Sequence, residues 1–124
     1  MIISTRYGLP FVDVELTHKG KKLHIGNFLI DTGSASTLIA AEIAVQLGLG
    51  PEPNDVIREV TGIGGIEFIY EKHIDMIQLD SKYIENFKIQ IGDMDYGFEM
   101  NGIIGFNFLK ASKALINLDK MVIE

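Results

Sequence analysis

The feature that most constrains this chain is an apolar segment that runs directly into an aspartate, a threonine and a glycine. In order, the residues are Phe28, Leu29, Ile30, Asp31, Thr32, Gly33 and Ser34. Consecutive bulky apolar residues are typical of a buried strand, and a glycine just beyond it lets other backbone approach closely because it has no Cβ. We therefore predict a strand that ends by holding the Asp31 carboxylate rigidly. This Asp-Thr-Gly sequence occurs once in the chain.

The composition favours one compact domain and argues against several classes of function. With 124 residues, an apolar fraction of 47% and 13 glycines, residues 1–124 are expected to form a single domain with a substantial core and many turns. A net charge of −6 provides no basic surface for nucleic acid or an anionic membrane. The absence of cysteine excludes disulfides and thiol catalysis. The three histidines have no metal-binding spacing, so neither a metal nor another cofactor is expected.

The N-terminal residues do not resemble a targeting sequence. Residues 1–11 lack the basic and then apolar order of a signal peptide. No apolar run approaches the roughly 18 residues that a membrane helix needs. We therefore expect a soluble, cytoplasmic protein that does not bind a membrane.

Alternating residues predict strands over much of the chain. Residues 11–17 alternate between apolar and polar, and a polar turn at 18–21 separates them from a second strand at 22–30. The two strands would form a hairpin that delivers Asp31. Alternation also predicts a strand with an apolar face formed by Tyr83, Phe87, Ile89 and Ile91. Further strands are predicted at 56–60 and 66–70 around a glycine-rich segment, at 101–105 as a short apolar strand, and at 114–117 and 121–124 as a terminal hairpin.

Two short helical segments interrupt the strands. After Ser36 the apolar period becomes helical, which would place Ile39, Ile43 and Leu47 on one face. Gly48 stands where a left-handed C-terminal cap is expected. A second helical turn is predicted around residues 107–111.

Three segments together resemble the retropepsins, the single-domain dimeric aspartic peptidases related to retroviral proteases. The segments are Ile-Asp-Thr-Gly-Ser at 30–34, the glycine-rich residues 62–65, and Gly-Ile-Ile-Gly-Phe-Asn-Phe-Leu at 102–109. Their order and approximate spacing match that family over residues 12–124. The resemblance implies an all-β, single-domain retropepsin-like acid-protease fold with a flap hairpin and one or two short helices.

The resemblance also implies a reaction. Asp31 would be the catalytic carboxylate of an aspartic endopeptidase. This chemistry needs two carboxylates that share a proton, so one copy per chain implies a homodimer with the site on its two-fold axis. The pair would activate a water molecule that attacks a peptide bond in an extended polypeptide substrate, without a covalent intermediate.

Supporting roles follow from the same resemblance. Thr32 would reach across the dimer axis, Gly33 would contact substrate, and Ile104 and Gly105 would support the loop from below. Ser34 stands where retroviral enzymes usually have alanine, and its hydroxyl is expected to donate a hydrogen bond to the outer oxygen of the Asp31 carboxylate. The residues expected in the substrate-binding flap are Gly62, Ile63, Gly64 and Gly65.

Several expectations remain open from the sequence. Residues 2–4 and 121–124 are candidates for the interleaved terminal strands of a dimer. Apolar subsites are expected from Ile63 and Ile66 near the flap and from Ile103 and Ile104 near the floor. Asp31 could instead be a solvated turn residue, and residues 62–65 a plain loop. A catalytically silent retropepsin-like module that binds peptides or dimerises is the alternative function.

Overall fold

The computed structural model describes residues 1–62, 65–94 and 97–124. Within these residues the chain forms ten strands and two short helices, which confirms the all-β prediction. In chain order the elements are β1 (Ser4–Arg6), β2 (Leu9–His18), β3 (Lys21–Asp31), β4 (Leu38–Ala40), α1 (Ala41–Gln46), β5 (Ile57–Gly62), β6 (Gly65–Leu79), β7 (Lys82–Gly92), β8 (Gly102–Gly105), α2 (Phe106–Ala111), β9 (Ile116–Asn117) and β10 (Val122–Ile123). None of the helices in the described residues is long and apolar enough to cross a membrane.

The predicted hairpin that leads to Asp31 is present. β2 and β3 pair antiparallel, with His18 opposite Lys21. The two residues between them, Lys19 and Gly20, both have positive φ, as in the type I′ turns that suit the twist of paired strands. The apolar residues of β2 are buried in the expected alternation, so a local pattern alone accounts for this unit.

Eight of the strands form one sheet that closes on itself. Their order is β1-β2-β3-β8-β4-β7-β6-β5, and β2 pairs additionally with β6. Closure turns one face of these strands inward, where apolar side chains exclude water and supply most of the driving force for folding. Fully buried members of this core are Leu16, Phe28, Ile39, Ile74, Ile77, Ile89, Ile91, Ile104 and Phe108.

The centre of the sheet places Asp31 beside the end of β8. β3 and β8 run parallel, with Ile30 beside Ile104 and Asp31 beside Gly105. β4 lies on the other side of β8 and runs antiparallel to it. The segment between β3 and β4 therefore loops over the end of β8.

The first helix begins later than the sequence predicts. Ile39 lies in strand β4, and α1 contains only Ala41–Gln46. β4 has a paired strand on each side, since Ile39 lies beside Ile91 of β7 and beside Gly102 of β8. These long-range hydrogen bonds outweigh the local helical period. The cap prediction is confirmed, because Gly48 follows the helix with a φ of +76°.

The predicted apolar face of β7 changes side at Asn86. Phe87, Ile89 and Ile91 are buried as expected, but Tyr83 is 55% exposed. Asn86 has a φ of +49°, which breaks the alternation of a strand, and Ile84 packs against the core instead of Tyr83.

The two ends of the chain pair with each other. β9 and β10 form the predicted terminal hairpin. The backbone N–H of Ile3 donates to the carbonyl of Met121 over 2.9 Å, and that of Ile123 donates to the carbonyl of Met1 over 2.9 Å. The terminal segments expected to interleave between two chains are therefore paired within one chain.

Candidate active site

Asp31 is the last residue of β3 and is held by the turn that follows it. The backbone N–H of Gly33 donates to Asp31 Oδ1 over 2.9 Å, and the N–H of Ser34 donates to the Asp31 carbonyl over 3.2 Å. A carboxylate that accepts a backbone hydrogen bond has a defined orientation. The hydrogen bond from Gly33 thus fixes the position of the carboxylate. Because Asp31 is only half-buried, the carboxylate also stays accessible.

Ser34 supports the loop rather than the carboxylate. Its hydroxyl donates to the carbonyl of Ser36 over 2.7 Å. A serine hydroxyl has one proton to donate, so the hydrogen bond expected from Ser34 to Asp31 is not made in this structure. The Ser34 carbonyl in turn accepts a 2.7 Å hydrogen bond from the N–H of Phe106. Ser34 thus joins the loop after Asp31 to the start of α2.

Gly105 lies directly beneath this loop. A Cβ atom at position 105 would stand 2.1 Å from the Ser36 carbonyl oxygen and 2.9 Å from that of Ser34. Both contacts are with backbone, which cannot move aside without displacing the loop. Ile104, the residue before it, is fully buried beside Ile30 and packs in the core. The structure therefore places Gly105 under the Asp31 loop and Ile104 in the core beside Ile30, and the supporting roles expected of them stay predictions.

A buried threonine, Thr37, was missed by the sequence analysis. Its hydroxyl donates to Asn107 Oδ1 over 2.9 Å and accepts from the N–H of Gly105 over 3.1 Å. The side chain is completely buried. Thr37 therefore connects the end of the Asp31 loop to β8 and α2. The only signal in the sequence is that Thr37 is a polar residue next to an apolar segment. Its partners, Gly105 and Asn107, are too distant in sequence to be identified from a local pattern.

Several apolar side chains share the sheet face that carries Asp31. Side chains two residues apart on a strand, or directly paired on neighbouring strands, lie on the same face. Leu29 therefore shares the Asp31 face, together with its paired residues Phe11 on β2 and Ile103 on β8. Ile104 lies on the opposite face, so of the two predicted floor residues only Ile103 is on the side of Asp31, where it is itself buried.

Aromatic side chains extend this apolar face. The ring of Phe98 meets that of Phe11 edge-on at a centroid distance of 6.5 Å and lies 5.1 Å from the ring of Tyr7. The guanidinium of Arg6 stands over both the Tyr7 and Phe11 rings, at 5.4 and 5.9 Å from their centroids. Arg6 is also hydrogen-bonded to Asn27 Oδ1. These contacts hold a rigid aromatic group next to the strand that delivers Asp31.

The remaining predicted residues are located in part. Thr32 and Gly33 are exposed. Gly62 and Gly65 lie opposite each other where β5 and β6 meet, whereas Ile63 and Gly64 lie outside the described residues. The assignment of residues 62–65 as a flap therefore stays a prediction. Among the described residues, there is no group of three or more acidic or histidine side chains that could hold a metal ion.

Ion pairs fix the loop before the β5–β6 hairpin. Lys72 Nζ lies 2.6 Å from Glu52 Oε1 and 2.8 Å from Asp55 Oδ1. The hydrogen bond with Lys72 lowers the pKa of the Asp55 carboxyl, and the same bond raises the pKa of Lys72. A second pair joins Arg58 to Glu71 at 2.7 Å, and this hydrogen bond lowers the pKa of Glu71. The base of the hairpin is thus tied to the neighbouring loop.

Comparisons with known proteins agree with this architecture. Residues 14–111 match the family model described as "gag-polyprotein putative aspartyl protease". No curated protein sequence matches the chain. The fold is similar to the crystal structure of a retropepsin-like aspartic protease from Rickettsia conorii, with 19% identity, coverage of 99% of this chain and 95% of that chain, and a TM-score of 0.69.

A second solved structure has the same fold. It is the retroviral protease-like domain of Ddi1 from Leishmania major, which is 19% identical, with coverage of 94% of this chain and 86% of that chain and a TM-score of 0.65. The predicted retropepsin-like fold is therefore confirmed.

Proposed function

Because the chain belongs to the gag-polyprotein aspartyl protease family, which is retropepsin-like, we propose that it is an aspartic endopeptidase that acts as a homodimer. The observation that carries the proposal is the geometry of Asp31. Its carboxylate is oriented by the Gly33 N–H at the end of a central strand, yet it remains accessible. A solvated turn residue would not require the close backbone packing that Gly105 permits beneath the loop.

The reaction uses two copies of Asp31, one from each chain. Like charges about 3 Å apart cannot both ionise cheaply, so the pair holds one proton. The ionised carboxylate takes a proton from a water molecule as the water oxygen attacks the scissile carbonyl carbon. The other carboxyl donates its proton to the carbonyl oxygen, which gives a neutral gem-diol. In the collapse, the carboxylate that gave up its proton takes one from a gem-diol hydroxyl, the carboxyl that gained a proton donates it to the leaving nitrogen, and the C–N bond breaks.

The loop around Asp31 supports this arrangement. Thr32 is exposed at the end of the strand, where its hydroxyl is available to the backbone of a second copy. That contact would keep the two loops at the separation that a shared proton requires. Thr37, Ser34 and Gly105 hold each loop from within its own chain.

The proposed substrate is an extended polypeptide with apolar side chains near the cut. The accessible apolar groups on this side are the half-buried Leu29 and Phe98 and the exposed Tyr7. Ile103 and Phe11 lie buried beneath them. An extended peptide presents alternate side chains to such a surface while its backbone remains free for hydrogen bonds. Residues 62–65 would supply some of those bonds as a flap.

The test is cleavage of a complex peptide library between pH 4 and 7, with new termini identified by mass spectrometry. Asp31→Asn should lower the peptidase activity at least about 100-fold, because an asparagine cannot act as an acid or base at this position. The matched control is Asp119→Asn, which changes an exposed aspartate in the terminal hairpin. Circular dichroism and sedimentation should show that both variants fold.

Two results would contradict the proposal. Turnover retained in Asp31→Asn would rule out this mechanism. A wild-type dimer that binds library peptides and cleaves none would favour the silent binding module.

A further inference from the structure

A large aromatic side chain, that of Phe106, stands exposed beside the loop that carries Asp31. The side chain is 49% exposed although Phe106 directly follows the buried strand β8. Its N–H donates to the Ser34 carbonyl over 2.7 Å, which fixes Phe106 to the Asp31 loop.

The register of the sheet sets how far Phe106 lies from Asp31. Gly105 is the direct partner of Asp31 in the parallel pairing of β3 and β8. Paired strands are about 4.8 Å apart and consecutive Cα atoms 3.8 Å apart, so the Cα atoms of Phe106 and Asp31 lie within about 9 Å of each other. In the proposed dimer, the carboxylates of the two Asp31 residues lie about 3 Å apart. The second chain must therefore approach the surface around Phe106.

We propose that Phe106 is an apolar anchor of the surface that binds a second copy of this chain. The inference rests on the proposed homodimer and specifies which side chain stabilises it. Aromatic residues near the centre of an interface contribute a large share of its binding energy, because packing against the partner removes much of their apolar surface from water. Phe106 combines that chemistry with a position next to the group that must be paired.

The pairing of the chain ends is compatible with this assignment. Backbone groups of Met1 and Ile3 are bonded to Ile123 and Met121 of the same chain, so an interface between two chains does not require these strands to be exchanged. Contacts between side chains can supply its stability. The terminal segments carry further exposed apolar residues that can add to such contacts, namely Ile2, Leu115 and Leu118.

A consequence concerns regulation of the same site. When the termini are closed within each chain, two folded chains can associate without exchanging strands. Association is then a reversible docking step, and below the dissociation constant the number of complete sites rises with the square of the protein concentration. Dilution should inactivate the peptidase without unfolding it.

The experiment measures the dimer dissociation constant by sedimentation over a wide concentration range. Phe106→Ser should raise the constant at least about 30-fold, the loss expected for one hot-spot side chain. Phe106→Leu keeps an apolar group and should raise it much less. The matched control is Phe68→Ser, because Phe68 is 71% exposed and lies on the β5–β6 hairpin. Each variant is checked for an unchanged far-ultraviolet circular dichroism spectrum.

A second measurement remains decisive if Phe106→Ser fails to fold. The chain has no cysteine, so Phe106→Cys introduces a unique thiol. Its rate of labelling should fall over the concentration range in which sedimentation shows the Phe106→Cys protein to dimerise, or the variant should stay monomeric where Phe68→Cys dimerises. The thiol of Phe68→Cys should label at a constant rate. A Phe106→Cys dimer whose thiol labels as fast as that of the monomer would overturn the assignment of Phe106.

The outcomes separate this inference from the proposed function. If Phe106→Ser dimerises like the wild type while the wild type cleaves peptides through Asp31, the anchor is wrong and the peptidase proposal stands. If Phe106→Ser is monomeric but the wild-type dimer cleaves nothing, the anchor stands and the peptidase proposal fails. A wild-type chain that stays monomeric at every concentration overturns the anchor.

Discussion

Thr37 donates a 2.9 Å hydrogen bond to Asn107, a residue 70 positions away in the sequence. The same hydroxyl accepts a hydrogen bond from the N–H of Gly105. One buried side chain thus joins the end of the Asp31 loop to the strand beneath it and to the helix beyond. The position of the loop therefore depends on a contact between distant parts of the chain.

Thr37→Val should destabilise the protein by about 1–3 kcal/mol, because it leaves the buried Gly105 N–H and the Asn107 amide without their partner. Thr17→Val is the matched control, since the Thr17 hydroxyl is buried without a hydrogen-bond partner among the described residues. That change should be neutral or stabilising. Urea unfolding of both variants measures the difference. Equal losses would mean that the Thr37 hydrogen bonds contribute no net stability.

Gly105→Ala should lower the free energy of unfolding by about 3 kcal/mol and reduce any peptidase activity, because its Cβ would collide with the Ser36 and Ser34 carbonyls. Gly50→Ala is the control, since a Cβ at position 50 would meet no atom within 4 Å. Thermal unfolding of the two variants gives the comparison. A Gly105→Ala protein as stable as Gly50→Ala would show that the loop can move aside easily.

Acid should weaken the ion pairs that fix the loop before the β5–β6 hairpin. The hydrogen bond from Lys72 holds the pKa of Asp55 below its ordinary value of 3.8. A lowered carboxyl pKa stabilises the folded state above the unfolded pKa, and this stabilisation is lost as the pH falls through the folded pKa. Asp55→Asn should therefore flatten the stability profile below pH 3.8. Urea unfolding at several pH values tests this, with Asp119→Asn as the control, and identical acid slopes in the two variants would contradict it.

Leu29→Ala should change which peptides are cleaved rather than whether cleavage occurs. Leu29 lies on the Asp31 face, so truncation would remove apolar contact with a substrate side chain. We expect kcat/KM for the preferred apolar peptide to fall about 10-fold. Leu23→Ala is the control, because Leu23 is a partly buried leucine near the other end of the same strand. Cleavage profiles of both variants on one library provide the measurement. An unchanged profile in Leu29→Ala would place the subsite elsewhere.

The sequence by itself determined the local units of this protein. Alternation along residues 11–17 and 22–30, with a glycine-containing turn between them, was enough to predict the hairpin that ends at Asp31. Gly48 was likewise recognisable as a helix cap. The three retropepsin-like segments indicated the fold through their resemblance to that family. The hairpin and the cap depend on steric and hydrophobic effects that act within a few residues of the chain.

The tertiary structure alone decided which distant groups became partners. Leu38–Ala40 is a strand rather than the start of a helix because strands lie on both sides of it. The Ser34 hydroxyl bonds Ser36 rather than Asp31, and Thr37 bonds Gly105 and Asn107. The N-terminal segment pairs with β10 of its own chain. Buried polar groups need hydrogen-bond partners, and close packing of the whole chain determines which groups come within reach of each other. A local sequence pattern contains no information about partners that are distant in the chain.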